Sequence, residues 1–461
     1  MKVLFCASEV APFAKTGGLA DVTGSLPLAL GQLGVKVLVT MPRYRGIALS
    51  KKKLSENVSI RFVENEAYFN RSSLYGNDGG DYPDNLKRFH FFCRRSLEIA
   101  RETGFQPDII HAHDWQAALL PVIVKMTAAS DDFFRRTKTL LTIHNIAYQG
   151  HFSRRDYDLL GLDPSLFSVD VFEFYGKINL LKGGIVFADA VSTVSPTYAK
   201  EILTRDYGFG LEGVLKKRPR PVRGILNGIN YDLWDPAIDK AIKKKYSPEE
   251  PEGKAACKAD LQKRCGLTVD PDVPVFGIVT RLAEQKGLDI LSEVCDSLLA
   301  RGAQFVMLGD GDPAYKTTFT NVEKRHAGKG VASINIGFSS ADAHKIYAGA
   351  DFFMMPSFFE PCGLGQLISL KYGTLPVVRR TGGLADTIVD ADADPKNGNG
   401  FVFHDQIPEH FLESIDRAIK AYGDKKRMAA LRKHAMKADF SWTKSAKAYR
   451  QLYRSLKEVV G

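Results

Sequence analysis

The length, composition and charge of the chain limit the classes of protein to which it can belong. Its 461 residues exceed the roughly 250–300 residues that one hydrophobic core serves, so we expect at least two domains. Hydrophobic residues make up 44% and charged residues 25% of the chain, a balance that excludes a disordered protein. The net charge of +10 is compatible with binding to nucleic acid, to a membrane surface or to a small anionic substrate. Because the basic residues are scattered and no nucleic-acid-binding signature occurs, we interpret most of them as a solvated surface and expect no nucleic-acid partner.

The cysteines and the apolar runs indicate the cellular compartment. The six cysteines lie far apart without CxxC pairs, which predicts neither a zinc site nor a disulfide framework; they are Cys6, Cys93, Cys257, Cys265, Cys295 and Cys362. The N-terminal apolar run, residues 3–7, is too short for a signal peptide, and no run reaches membrane length. We therefore expect a cytoplasmic protein without membrane contact.

Short β-branched or aromatic runs alternate with longer amphipathic stretches along the chain, the pattern of βαβ units with buried parallel strands. In the first half, the predicted strands are 2–8, 36–41, 108–113, 139–144, 190–195 and 222–226. In the second half, they are 275–280, 304–308, 333–337, 352–355, 375–378 and 400–403. Each half is thus predicted to form a doubly wound parallel sheet, which places the chain in the α/β class.

A polar segment separates the two halves. Residues 239–256 contain a lysine run and two prolines, and we interpret them as a linker. The predicted domains are therefore 1–240 and 255–440. The tail, 441–461, is predicted to be a helix whose apolar stripe packs across the domain junction.

One hexapeptide occurs twice. The sequence Thr-Gly-Gly-Leu-Ala-Asp occupies residues 16–21 and again residues 381–386. Each copy follows a predicted strand and begins a predicted helix, so both halves are expected to use the same strand–turn–helix unit. Pseudo-symmetric Rossmann-like domains of this kind would hold a ligand at the carboxyl ends of their strands.

Lys15 precedes the first copy. Gly17 and Gly18 allow the backbone to turn tightly and approach a ligand, and the free amides of a helix start attract phosphate. The spacing matches neither the dinucleotide fingerprint nor the P-loop. On general chemistry alone, a phosphate site and a plain helix-start turn with a solvated lysine are about equally supported.

The second half carries two cations at the end of a predicted strand. Arg281 and Lys286 lie in one strand-to-helix turn, where a guanidinium fork and a mobile ammonium can clamp a diphosphate. Fixed cations would also stabilise a departing nucleoside diphosphate without a metal. Taken alone, a surface Arg and Lys beside a turn are the commoner outcome.

Glu360 follows the predicted strand 352–355 in a turn rich in proline and glycine. A carboxylate at the carboxyl end of a strand is placed to face a ligand, where it can hold sugar hydroxyls or support an oxocarbenium-like centre. The competing interpretation is an acidic residue that stabilises the dipole of the next helix.

Two histidine-bearing segments end strands of the first half. His144 could contact a sugar near its reacting carbon. His111, His113 and Asp114 suggest a metal site, but alternate strand residues without a matching open coordination set argue against it. We therefore predict no metal and interpret His111 as a core histidine.

Together these motifs resemble the bacterial glycogen synthases and plant starch synthases, in that family's order and over nearly the whole chain. The segments that carry the resemblance are 15–19, 111–115, 142–145 with 148–150, 226–229, 281–287, 360–366 and 379–386. The resemblance implies a GT-B fold, with two Rossmann-like domains facing an interdomain cleft, and retention of the anomeric configuration. It further implies a glucosyltransferase that extends α-1,4-glucan with ADP-glucose, releases ADP and needs no cofactor.

The resemblance also implies roles for individual residues. Residues expected to bind the donor are Lys15, Gly17, Gly18, Asp21, Arg281, Lys286, Cys362, Gly363 and Leu364, with Phe338 stacking on the base. Arg281 and Lys286 are expected to neutralise the departing diphosphate, Glu360 to hold the glucose hydroxyls and His144 to stabilise the reacting sugar. Expected contacts to sugar or acceptor come from Tyr82, Asp114, Trp115, Asn145 and Asn227.

Other activities remain open on the sequence. Another retaining GT-B transferase or a sugar-nucleotide epimerase, using a UDP-sugar, would share the fold. The pairing of Lys-Thr-Gly-Gly-Leu with Glu-Pro-Cys-Gly-Leu favours the glucan synthases, and its Lys-Thr form looks like the enzymes that use ADP-glucose. A non-catalytic nucleic-acid-binding protein would instead show binding with a steep salt dependence.

Overall fold

The computed structural model describes residues 1–48, 53–77, 80–127, 130–337 and 339–458. The chain forms two units: unit 1 comprises Met1–Gly228 and Trp442–Gly461, and unit 2 comprises Ile229–Ser441. This division differs from the predicted domain limits at 240 and 255, because the polar segment 239–256 folds onto unit 2. Asp239 accepts a 2.6 Å hydrogen bond from the hydroxyl of Tyr372, and Tyr246 is 3% exposed.

The central strands of unit 1, β1, β2, β7, β8 and β12 in the list that follows, are short apolar runs buried on both faces, as parallel strands covered by helices must be. The strands of unit 1 are β1 (Lys2–Cys6), β2 (Lys36–Pro42), β3 (Lys53–Ser55), β4 (Val58–Val63), β5 (Gly76–Asn77), β6 (Gly80–Asp81), β7 (Ile109–His113), β8 (Lys138–Ile143), β9 (His151–Ser153), β10 (Glu173–Phe174), β11 (Lys177–Asn179), β12 (Ala190–Thr193) and β13 (Arg223–Gly224). Within the described ranges the main sheet has the order β13-β12-β8-β7-β1-β2-β4-β3 and is parallel except for β3. The strands β10, β11 and β9 form a small antiparallel sheet.

The helices of unit 1 connect these strands. They are α1 (Gly18–Gln32), α2 (Glu66–Phe69), α3 (Asn85–Glu102), α4 (Asp114–Ala117), α5 (Leu119–Thr127), α6 (Leu180–Phe187), α7 (Pro196–Glu201) and α8 (Glu212–Lys216), with 3₁₀ turns at Arg154–Leu160 and Pro164–Leu166. The chain leaves β1 toward β2 and later returns to β7 on the other side of β1. The order of strands therefore reverses between β1 and β7, which is where ligands bind in open α/β sheets.

Unit 2 contains a parallel sheet of β14 (Val275–Leu282), β15 (Gln304–Gly311), β16 (Ala332–Ile336), β17 (Phe352–Met355), β18 (Leu375–Arg379) and β19 (Phe401–Phe403). Its helices are α9 (Gly253–Arg264), α10 (Leu288–Ala300), α11 (Pro313–Arg325), α12 (Ser340–Gly349), α13 (Gly365–Lys371), α14 (Gly382–Thr387), α15 (Pro408–Gly423) and α16 (Lys425–Lys437), with a 3₁₀ turn at Glu284–Lys286. Among the described residues the strand order is β16-β15-β14-β17-β18-β19, the 3-2-1-4-5-6 order of the Rossmann fold. The switch point lies between β14 and β17.

The last helix, α17 (Trp442–Lys457), belongs to unit 1. The Tyr453 hydroxyl lies 2.7 Å from Nδ1 of His111, and the Lys457 ammonium pairs with Asp108 at 2.6 Å. Tyr449 and Tyr453 are fully buried, so the apolar stripe predicted for the tail is covered. No helix within the described part of the chain has the length and apolar character that crossing a membrane requires.

Candidate functional site

The switch point of unit 2 brings together the two charged motifs predicted for that half. Lys286 ends the turn after β14, and Glu360 lies in the loop after β17, the neighbouring strand. The ammonium of Lys286 donates to Oε2 of Glu360 at 2.7 Å, and the two side chains are 16% and 7% exposed. The hydroxyl of Ser357 donates to the same oxygen at 3.0 Å. A carboxylate and a cation are therefore held in fixed geometry with little access to water. The exclusion of water strengthens their electrostatic interaction with any charged ligand.

The loop that carries Glu360 is braced from two sides. Arg379, at the end of β18, donates from Nε to the carbonyl of Ser357 at 2.9 Å and also contacts the carbonyl of Phe358. The backbone amide of Phe358 donates to the carbonyl of Gln285 at 2.8 Å. At Gly287, φ is +63° and an added Cβ would lie 1.9 Å from the carbonyl oxygen of Pro356. Only glycine permits this approach of the two loops, so both motifs depend on it.

The second Thr-Gly-Gly-Leu-Ala-Asp copy packs against the same loop. A Cβ at Gly382 would lie 2.0 Å from the carbonyl oxygen of Glu360, and one at Gly383 would lie 2.1 Å from that of Cys362. The side-chain amide of Gln366 donates to the carbonyl of Cys362 at 2.8 Å. The backbone from Glu360 to Cys362 is therefore held by contacts at short range.

The other residues predicted for unit 2 lie on β14, within the Glu360 loop or beyond the described part. Arg281 is the penultimate residue of β14 and is exposed, Cys362 is 3% exposed, and Gly363 and Leu364 are partly buried. Phe338, predicted to stack on the base, lies outside the described residues. The structure thus brings Lys286, Glu360 and residues 362–364 into one neighbourhood.

In unit 1, Lys15 and Gly17 lie in the loop between β1 and α1. The ammonium of Lys15 pairs with Asp21 at 2.7 Å, and these side chains are 44% and 25% exposed. Burial raises the pKa of the Asp21 carboxyl, and the charge of Lys15 opposes that rise. A Cβ added at Gly17, the residue before α1, would find no atom within 4 Å. The turn is therefore open at the position where Gly17 and Gly18 were predicted to meet a phosphate.

Glu9 holds this turn, although it was not predicted from the sequence. Its carboxylate accepts hydrogen bonds from the backbone amide and the hydroxyl of Thr16, each at 2.6 Å, and from the hydroxyl of Tyr75 at 2.6 Å. Glu9 is only 3% exposed. Because Tyr75 is 66 positions away along the chain, nothing local in the sequence signals the contact.

The histidines and Asp114 occupy the carboxyl ends of β7 and β8, beside β1. Nδ1 of His113 lies 2.9 Å from Nε2 of His144, and the backbone amide of His144 donates to Oδ1 of Asp114 at 2.7 Å. Burial lowers the pKa of His144 to about 3, so its ring is neutral at physiological pH. Burial likewise raises the pKa of Asp114 to about 7. His111 is bonded to Tyr453 and Thr142 and is therefore a core residue, as predicted.

The remaining predicted contacts of unit 1 have varied surroundings. Trp115 is 8% exposed and packs edge-on against Phe89, with ring centroids 5.0 Å apart. Asn145 is partly buried directly after His144, and Asn227 is 7% exposed. Tyr82 is partly exposed beneath the guanidinium of Arg71, at 4.7 Å from its ring centroid. Within the described ranges no group of three His, Cys, Asp or Glu residues is arranged to hold a metal ion.

Comparison with known proteins adds a second kind of observation. Residues 2–217 match the family model described as starch synthase catalytic domain, and residues 262–437 match the model of glycosyl transferases group 1. The chain is 47% identical over 478 residues to a glycogen synthase of Geotalea daltonii and 47% identical over 478 residues to glycogen synthase 2 of Geobacter sulfurreducens, with 98% of each chain covered. Its structure resembles the catalytic domain of starch synthase IV from Arabidopsis thaliana bound to ADP and acarbose, with a TM-score of 0.91, 33% identity and 99% of both chains covered.

Proposed function

The chain belongs to the family of glycogen and starch synthases, and from this premise we propose that it transfers glucose from ADP-glucose to the non-reducing end of an α-1,4-glucan. It is a glucan-extending glucosyltransferase of GT-B fold. Relatives that share its full length carry the name glycogen synthase, and the structural relative was solved with ADP and acarbose. ADP is the proposed second product.

The observation that carries the proposal is the Lys286–Glu360 pair at the switch point of unit 2. When the bond from the anomeric carbon to the donor phosphate breaks, its electron pair goes to the phosphate oxygen and the diphosphate gains negative charge. Lys286, together with Arg281, would stabilise that charge. Glu360 would hold the glucose hydroxyls, and the backbone of residues 362–364 would bound the same pocket.

We propose that the reaction also needs residues of unit 1. Lys15, the glycine turn and Asp21 would contact donor phosphate or sugar. The neutral ring of His144 would donate or accept a hydrogen bond to the reacting sugar without adding positive charge. Tyr82, Asp114, Trp115, Asn145 and Asn227 would contact sugar or acceptor.

No metal or other cofactor is required in this proposal, because the two cations of unit 2 supply the charge that a metal would otherwise provide. Activity measured with excess EDTA should equal activity without it. Loss of activity in EDTA, restored by a divalent cation, would overturn this part of the proposal. The free thiols of all six cysteines support a cytoplasmic location, where thiols stay reduced.

The deciding experiment offers ADP-glucose and UDP-glucose separately with glycogen and measures the released nucleoside diphosphate and the incorporated glucose. We expect ADP-glucose to be used far better. Equal use, or preference for UDP-glucose, would contradict the donor assignment. Release of nucleoside diphosphate without incorporation of glucose would contradict glucan extension itself. Lys286→Ala serves as the control for activity from contaminating enzymes.

A further inference from the structure

Two buried imidazole rings of unit 1 contact each other at the carboxyl ends of neighbouring strands. His113 is the last residue of β7, and His144 directly follows β8. Nδ1 of His113 lies 2.9 Å from Nε2 of His144, and the two residues are 0% and 9% exposed. A hydrogen bond between two imidazole nitrogens contains one proton, so one ring donates and the other accepts.

Both rings are neutral, so each carries a single proton. Burial lowers the pKa of His113 well below its ordinary value and lowers the pKa of His144 to about 3. Two arrangements then satisfy the hydrogen bond between the rings. In the first, Nδ1–H of His113 donates to a bare Nε2 of His144. In the second, Nε2–H of His144 donates to a bare Nδ1 of His113.

The other nitrogen of His113 distinguishes these arrangements. Within the described part of the chain, Nε2 of His113 is buried and has no hydrogen-bond partner. The neighbouring ring of His111 cannot accept from it, because both nitrogens of that ring are bonded elsewhere, and the ring of Phe5, with its centroid 4.2 Å away, is apolar. The second arrangement would place an N–H at this position, and buried N–H groups without an acceptor are rare. The first arrangement leaves only an unpaired acceptor there, which folded proteins tolerate more often.

The first arrangement places the proton of His144 on Nδ1. Among the described residues, the ring of His144 bonds to the protein through Nε2 alone. The backbone amide of His144 also donates to Oδ1 of Asp114 at 2.7 Å, so the residue is held at its backbone as well as at its ring. His144 therefore offers Nδ1–H, an uncharged donor of fixed orientation, to a ligand.

We propose that His113 is a positioning residue, which orients the ring of His144 and holds it in the Nδ1–H tautomer for donation to an oxygen of the transferred glucose. This inference rests on the proposed function, in which His144 contacts the reacting sugar, and it assigns the direction of that hydrogen bond. The partner of one imidazole nitrogen determines in this way which nitrogen carries the proton. An uncharged donor also avoids repelling the positive charge that develops at the anomeric carbon.

The first experiment detects the tautomer directly by nitrogen NMR of the full chain carrying isotope-labelled histidine. Among the ten histidines, the signals of His144 are those that disappear in His144→Gln. A bare imidazole nitrogen resonates far downfield of a protonated one, so we expect Nε2 of His144 at the bare position and Nδ1 at the protonated position. The reverse pattern in the wild type overturns the proposal.

Two substitutions separate positioning from packing. His113→Asn removes the ring but presents an amide N–H near the former Nδ1, whereas His113→Phe keeps a ring and lacks the N–H. We expect His113→Asn to retain most of the wild-type kcat/KM for ADP-glucose and His113→Phe to lose roughly tenfold, the effect of one hydrogen bond. Equal values in the two variants, or a larger loss in His113→Asn, would show that His113 only packs and would overturn the proposal.

Phe5→Leu is the matched control, because Phe5 packs on the ring of His113 without a hydrogen bond. It should lower the free energy of unfolding and leave the nitrogen signals of His144 as in the wild type. A changed tautomer in Phe5→Leu would mean that packing sets the tautomer, which also overturns the proposal. A wild-type enzyme without activity toward ADP-glucose would instead contradict the proposed function, and the nitrogen signals would still decide the tautomer.

Discussion

The same hexapeptide, Thr-Gly-Gly-Leu-Ala-Asp, performs different tasks in the two units. In unit 2, Gly382 and Gly383 lie against the backbone of the Glu360 loop, where a Cβ would come within 2.0 and 2.1 Å of carbonyl oxygens. In unit 1, Gly17 faces open space, with no atom within 4 Å of an added Cβ. The unit 2 copy is therefore a packing element that positions a carboxylate. The unit 1 copy leaves its turn accessible to a ligand.

Each copy lies near a lysine–carboxylate pair, and these pairs differ in burial. Lys286 and Glu360 are 16% and 7% exposed, whereas Lys15 and Asp21 are 44% and 25% exposed. Both pairs have the same 2.7 Å separation. Electrostatic interactions are stronger where water is excluded. The two pairs therefore differ in their expected effect on a charged substrate, although their N–O distances are the same.

The largest effect is expected from Lys286→Ala. We propose that Lys286 stabilises the departing diphosphate, so removal of this fixed cation should lower kcat by roughly 10²–10³-fold. Lys15→Ala should lower kcat less, because water already screens Lys15. Initial rates at saturating donor and glycogen measure kcat of both variants. Lys425→Ala, which removes an exposed ion pair of unit 2, is the control. A greater loss in Lys15→Ala than in Lys286→Ala would reverse this ranking of the two pairs.

Gly383→Ala should destabilise the protein by roughly 1–3 kcal/mol, the usual cost of overpacking. The new methyl group would overlap the carbonyl oxygen of Cys362 and displace the Glu360 loop, so activity should fall with stability. Denaturant unfolding measures the change. Gly423→Ala is the matched control, because a Cβ there meets no atom within 4 Å. Equal stability of the two variants would contradict the packing role of the second copy.

The strands could be predicted because parallel strands buried on both faces are continuous apolar runs. Every strand predicted from the sequence is present, with ends that differ by a few residues. The strands β3, β5, β6, β9, β10 and β11 were missed because they contain only two or three residues, and β4 was missed because its apolar residues alternate with Ser59 and Arg61. The segment 239–256 was interpreted as a linker from its polarity, yet Asp239 finds buried partners in Tyr372 and His344. Such long-range pairing leaves no local pattern.

The candidate site was predictable where its residues end strands. Lys286 and Glu360 follow adjacent strands, and the structure brings them together. Glu9 was not predictable, because its partner Tyr75 comes from a distant loop. The contact between His113 and His144 likewise joins two residues that are 31 positions apart in the sequence. The sequence therefore identifies candidate site residues at strand ends more readily than the residues that hold them in place.

His144→Gln tests the neutral state of the histidine in unit 1. Its folded pKa of about 3 lies below the ordinary value of 6.5, so its contribution to stability is present above pH 6.5 and is lost as the pH falls toward 3. Between pH 7 and 5 the wild type should lose about 2 kcal/mol more than the variant, at 1.36 kcal/mol per pKa unit. Denaturant unfolding at both pH values measures this, and parallel losses would show that the pKa of His144 in the folded state equals its ordinary value.

Glu9→Gln should weaken the turn of unit 1. The variant places an amide N–H against a donor of Thr16 or Tyr75, at a cost of roughly 1–2 kcal/mol. If Glu9 positions the turn for the donor, the KM for ADP-glucose should rise while kcat changes little. Glu212→Gln, at a partly buried glutamate elsewhere in unit 1, is the control. A uniform loss of stability with unchanged KM would show that Glu9 supports only the fold.

The smallest effect on stability is expected from Gly17→Ala. Its φ of −157° is extended backbone that alanine adopts, and a Cβ there meets no protein atom, so stability should change by less than about 0.5 kcal/mol. The methyl group would nevertheless occupy the space through which we propose the donor approaches the free amides of α1. The KM for ADP-glucose should therefore rise several-fold while the unfolding midpoint stays constant. In Gly383→Ala, by contrast, the main expected effect is a loss of stability. An unchanged KM would mean that the open turn faces no substrate, and the contrast between the two copies would then be one of packing alone.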